Sequence, residues 1–111
     1  GVNNTERTAF LKRAKVDLAV VLAVIHHLAI GKNISFLQVA DSLQQVCNYL
    51  VIEFVPKTDE KIQFMLSNKK DIYNNYTEEN FTQAFSHYFK IEEMFPVGNS
   101  GRVLYLMKKH E

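Results

Sequence analysis

The sequence predicts an α/β domain built around parallel strands, and three observations support that reading. Leu18-Ala19-Val20-Val21-Leu22-Ala23-Val24-Ile25 is an unbroken apolar run without alternation, the pattern of a strand covered on both faces. Ser35-Phe36-Leu37-Gln38 has the form of a capping box and opens a helix. Tyr49 to Val55 is a second strand-like run, stopped by Pro56. Strand, helix, strand is the signature of a βαβ crossover. With 111 residues, 47% of them hydrophobic and 23% charged, the chain can bury one core and not two.

The elements follow in order. Thr5-Glu6-Arg7-Thr8-Ala9-Phe10-Leu11-Lys12-Arg13 has its acid early and its bases late, which suits the helix macrodipole and predicts a short helix. The first strand is placed at about 16–25, where Val20, Val21, Val24 and Ile25 are β-branched; a short buried helix is the alternative, since Leu and Ala favour it. Eight apolar residues cannot cross a hydrocarbon core of ~30 Å as a helix. Phe36, Val39, Ala40, Leu43 and Val46 recur at helical spacing and extend the capped helix to about 35–47. The second strand covers 49–55. The polar stretch from Lys57 to Tyr76 reads as a loop with room for two helical turns around Ile62, Met65 and Leu66. A further helix starts near Thr77-Glu78-Glu79 and turns Phe81, Ala84, Phe85 and Tyr88 to one side. Strands at about 90–95 and 102–108, joined through Gly98-Asn99-Ser100-Gly101, form an antiparallel hairpin.

Charge and cysteine content narrow the function. Thirteen basic against 12 acidic residues leave a net charge of +1, with no field to attract phosphate backbones or anionic lipid, so neither nucleic acid nor membrane is expected as a partner. A single cysteine, Cys47, excludes an intrachain disulfide framework and a Cys-rich zinc site. A reducing, cytoplasmic setting is the expectation, and no secretory signal opens the chain. Four Asn-x-Ser/Thr sequons occur, at Asn3, Asn33, Asn75 and Asn80, and without such a signal they do not predict glycosylation.

His26 and His27 stand at the carboxyl end of the first strand, where open α/β sheets bind their ligands. On a strand, neighbouring side chains point to opposite faces, so the pair is not expected to share a metal unless the strand has already ended. Glu53, among Val51, Ile52, Phe54 and Val55, needs a partner if buried and should face the same rim; a helix cap or Lys57 is its structural counterpart. His87, beside Phe85 and Tyr88, reads as structural, and His110 belongs to the tail. Phe81, Phe85, Tyr88, Phe95 and Tyr105 read as core. Cys47, at the end of a helix with no nearby histidine, is a poor nucleophile candidate. The chain has no G-x-G-x-x-G, no G-x-x-x-x-G-K-[ST] and no G-x-S-x-G motif.

The order helix, strand, helix, strand, helix, hairpin resembles the second half of a class I S-adenosylmethionine-dependent methyltransferase. The specific resemblance lies in Asn4 to Ala14, Asp17 to Ile30 with its Ile25-His26-His27-Leu28, Ile52-Glu53-Phe54-Val55-Pro56-Lys57, Tyr76 to Phe81, and Leu104-Tyr105-Leu106-Met107. Together these look like the nodulation-type (NoeA-like) bacterial methyltransferases. The resemblance implies half of a Rossmann-like sheet, four strands in spatial order 1-2-4-3 with the last antiparallel and helices on both faces. It implies that His26 and His27 border the transfer site as catalytic residues. Glu53 and Lys57 would line the substrate pocket.

The family's glycine-rich loop and its ribose-binding acid have no counterpart here. The whole of 1–111 is therefore expected to be the C-terminal portion of a methyltransferase domain, inactive alone, whose parent uses S-adenosylmethionine on a small or carrier-bound acceptor. The alternative is a non-catalytic α/β interaction or scaffold module. An Asn/Asp-Pro-Pro-aromatic tetrad is absent where Ile25-His26-His27-Leu28 stands, which speaks against a base-amino acceptor. No metal is expected. The first strand should form a sheet edge, through which the isolated chain should self-associate.

Overall fold

The computed structural model describes residues 16–67 and 71–111. The expected helix at 5–14 lies outside them. The sheet has four strands: β1 (Val16–Val21), β2 (Cys47–Phe54), β3 (Phe89–Pro96) and β4 (Val103–Lys109). Their order is β1-β2-β4-β3, with β1 parallel to β2 and β4 antiparallel to both of its neighbours. The expected order and the antiparallel last strand are both present, and β1 lies at an edge.

Among the described residues three α-helices accompany the sheet: α1 (Phe36–Gln44), α2 (Glu60–Leu66) and α3 (Glu78–Phe85). Each opens on a side-chain cap, because the first backbone N–H groups of a helix have no partner within it. Ser35 accepts from the Gln38 N–H at 3.1 Å, and the Gln38 side chain accepts in return from the Ser35 N–H at 3.1 Å, completing the box read from the sequence. Asp59 caps α2 and Thr77 caps α3.

α1 and α3 pack on the sheet face carrying Phe54, Tyr105 and Phe89. Phe81 sits at the centre of this core, with ring centroids 4.6 Å from Phe85, 5.1 Å from Phe54, 5.4 Å from Tyr105 and 5.6 Å from Phe36. Tyr105 meets the Glu78 carboxylate through its hydroxyl, and burial together with that carboxylate pushes its phenol well above the ordinary range. Among the described residues no helix is long and apolar enough to cross a membrane.

Three sequence expectations are corrected. The first strand ends at Val21, four residues short of 25, because Ala23 adopts a left-handed backbone (φ 54°) that no extended strand accommodates. The rest of the apolar run leaves the strand through a bend at 22–24, and only its last residue, Ile25, begins the helical segment that continues into the π-helical turn His27–Gly31. Nor does the described structure cover β1 on both faces: Leu18 and Val20 are more than half exposed on the face opposite the ring cluster. Likewise α1 stops at Gln44, and Cys47 is the first residue of β2 rather than the last of a helix. Its thiol, buried against the Leu43 carbonyl at 3.3 Å, has its pKa raised by burial, which suits a structural cysteine.

Candidate functional site

The carboxyl ends of β1 and β2 bring together the side chains with the most chemistry. The left-handed Ala23 redirects the chain off β1, and the following turn is closed by the His27 and Leu28 N–H groups donating to the Val24 carbonyl at 2.9 and 3.2 Å. His26 and His27 thus sit on a helical turn and not on a strand. That geometry replaces the opposite-face arrangement expected for neighbouring strand residues: the two rings lie side by side, centroids 4.2 Å apart. His26 is buried and His27 exposed.

His26 is the unusual member. Neither ring nitrogen has a hydrogen-bond partner among the described residues. Burial lowers its pKa below the usual 6.5, and the nearby positive groups His27, Arg102 and Lys61 push the same way, against the opposing charge of Asp59. The imidazole is therefore neutral at pH 7, with a lone pair free to take a proton.

Glu53, on β2, is buried as expected at this rim. Its cationic neighbour is Arg102, with Nη1 3.8 Å from Oε1, and not Lys57. The same guanidinium forks onto Asp59, donating from Nε to Oδ2 at 2.9 Å and from Nη2 to Oδ1 at 3.2 Å. This pair holds the Asp59 carboxyl below the usual carboxylate range, aided by the Lys61 N–H at 2.9 Å. Gly101 makes the placement possible: its φ of 79° favours glycine, and a Cβ there would meet the Pro56 ring at 3.3 Å. The hairpin turn therefore lies against the end of β2 and delivers Arg102 beside Glu53.

Lys57 faces elsewhere. Its ammonium pairs with Asp71 at 2.8 Å and donates to the Tyr73 carbonyl at 3.0 Å, tying down the loop that follows α2. The Tyr76 hydroxyl donates to the Val55 carbonyl at 2.6 Å and fastens the far end of the same loop. The sequence thus located His26, His27 and Glu53 at one rim, whereas Lys57 is engaged by the loop after α2. Sequence reasoning missed Asp59 and Arg102. Asp59 carried a signal, since an Asp before an apolar-periodic stretch is an N-cap candidate; Arg102 carried none of its own. His110, assigned to the tail, is fastened by its N–H to the Tyr88 carbonyl at 2.9 Å. Among the described residues no group of three or more His, Cys, Asp or Glu side chains is arranged to hold a metal ion.

The lowered His26 pKa sets a pH dependence. Because the unfolded chain binds a proton at His26 near pH 6.5 and the folded chain does so only at lower pH, stability is retained above 6.5 and falls as pH drops below it. Chemical denaturation between pH 7.5 and 5 is expected to show this loss, and His26→Leu should flatten it; an unchanged slope in the variant would assign the loss to other groups.

No protein-family model matches the sequence. The chain is nevertheless 36% identical over 111 residues to nodulation protein NoeA of Rhizobium meliloti (strain 1021), a match that takes in the whole chain and spans 23% of that protein's length. The chain is thus similar to NoeA along its whole length, and corresponds to about a quarter of that relative.

Proposed function

We propose that this chain is the acceptor-side portion of an S-adenosylmethionine-dependent methyltransferase. The observation that supports the reading is topological: β4 is inserted antiparallel between β2 and β3, beside a parallel β1–β2 pair. That is the arrangement expected of the second half of the methyltransferase sheet, with its ligand rim at the carboxyl ends of β1 and β2. The histidine turn and the Glu53–Arg102–Asp59 group occupy that rim.

The residues present do not fit the cofactor itself. β1 is followed by Ala23 and the histidine turn, and β2 by Pro56-Lys57, so neither parallel strand opens onto a glycine-rich cradle for a nucleotide. In this reading the cofactor is held by sequence outside the chain. What these residues supply is acceptor chemistry. His26, neutral and with unpartnered nitrogens, takes the proton that the acceptor releases, and the exposed His27 ring lies beside it. Glu53 and Arg102 present one acidic and one basic group to the acceptor's polar atoms.

The test uses the full-length protein that carries this chain. Calorimetric titration with S-adenosylmethionine is expected to show micromolar binding, and methyl-labelled cofactor should pass its label to a component of a small-molecule extract. His26→Ala and His27→Ala should keep cofactor binding and slow label transfer by roughly 10² to 10⁴, a larger effect than their loss of thermal stability, which is confined to His26→Ala because that ring is buried and His27 is exposed. Absence of cofactor binding by the full-length protein would overturn the reading in favour of a non-catalytic α/β interaction module.

A further inference from the structure

A second site, lined by neither histidine side chain, lies in a cavity of about 520 Å³ between Ala29 of the His27–Gly31 turn, the start of α1, the loop before α3, and α3 itself. Its size falls in the roughly 300–1,000 Å³ range of small-molecule sites. Asn33, Asn75 and Asn80, three of the four sequon asparagines, all line it. Capping explains the spacing of two of those sequons, at Asn33 and Asn75. Ser35 and Thr77, each two residues after an asparagine, are the N-caps of α1 and α3, their hydroxyls accepting from Gln38 and Asn80 N–H groups at 3.1 Å. The asparagines themselves are left at the mouths of two helices that open on the same cavity.

Their carboxamides are not all spent. The Asn80 Nδ2 donates to the Asn75 carbonyl at 3.0 Å, while the side chains of Asn33 and Asn75 are exposed and have no hydrogen-bond partner among the described residues. Between them the walls are apolar, with Leu37 and Ile72 both substantially exposed at 42% and 63%. No described lining residue carries a charge. A charged ligand would give up hydration there without a counter-charge, which is costly. A carboxamide offers donor and acceptor together, the complement of a hydroxyl that is also both.

We propose that this cavity binds an uncharged, polyhydroxylated ring: a neutral hexose, free or as the terminal ring of a glycoside. Carboxamides of Asn33 and Asn75 would take its hydroxyls while its C–H faces rest on Leu37 and Ile72. The proposed contacts are separate from those assigned to methyl transfer, since none of His26, His27, Glu53, Asp59 and Arg102 lines the cavity.

The experiment is a titration of the ¹⁵N-labelled chain with glucose, methyl α-glucoside and glucuronate, following the asparagine side-chain amide signals. Neutral sugars are expected to shift the Asn33 and Asn75 signals with a Kd of about 1 mM, roughly −4 kcal/mol. Glucose and its glycoside separate a free sugar from a linked ring, and binding of either supports the site. Asn33→Gly suits the left-handed backbone at φ 57°, and Asn75→Ala removes only an exposed side chain. The double variant should keep its melting temperature and bind at least about tenfold more weakly. No shift with either neutral sugar, equal binding of glucuronate, or full affinity in the folded double variant would each overturn the proposal.

Discussion

Replacing Phe81 with alanine is expected to cost about 3–5 kcal/mol, a large part of the ~5–15 kcal/mol that holds a domain of this size together. Phe81 is fully buried at the one point where α1, α3, β2 and β4 meet, its ring touching those of Phe36, Phe85, Phe54 and Tyr105. Truncation removes both the transferred apolar surface and the contacts of four neighbouring rings that cannot collapse together, because each is fixed to a different element. Phe64→Ala supplies the control, since that ring is 80% exposed on α2 and should change stability by no more than about 0.5 kcal/mol. Urea denaturation of both variants decides the matter. Equal effects would mean that the ring cluster does not organise the fold.

The contrast between Phe81 and Phe64 also shows where the sequence was readable. Phe81, Ala84 and Phe85 recur at helical spacing after a capping threonine, and a local pattern of that kind is enough to assign both the helix and its buried side. The same holds for the Ser35–Gln38 box and for the Pro56 stop, each of which acts within a few residues. The 18–25 run failed differently. Its residues favour a strand, with a short buried helix as the alternative, and what ends the strand early is one left-handed residue, Ala23, whose side chain gives no hint of that conformation. The histidines consequently landed at the right rim on the wrong kind of element. Glu53 was legible because a carboxylate inside an apolar run must find a partner, yet which cation it finds depends on strand register. Lys57, four residues along, turns away to Asp71, whereas Arg102 arrives from the far end of the hairpin.

That long-range arrival makes Arg102 the most consequential polar residue of the rim. Arg102→Ala is expected to destabilise the fold by about 3 kcal/mol, because it leaves the Glu53 and Asp59 carboxylates, each about nine-tenths buried, without their shared cation. The loss should exceed that of an exposed ion pair such as Lys57–Asp71, where Asp71 is half exposed and water screens the attraction. Arg102→Lys should recover only part of it, since an ammonium cannot fork onto Asp59 and still reach Glu53. The pH dependence identifies the cause. Arg102 depresses the Asp59 pKa below 3.8, so the stabilisation is complete above the unfolded value and is lost as pH falls through the folded one. The gap between the parent chain and Arg102→Ala should therefore be widest near neutral pH and close as the solution is acidified below about 4. Denaturation at pH 7 and pH 3 measures both ends. A gap that stays constant across that range would show that Arg102 acts through packing of its stem against Pro56 and the hairpin turn, and not through the two carboxylates.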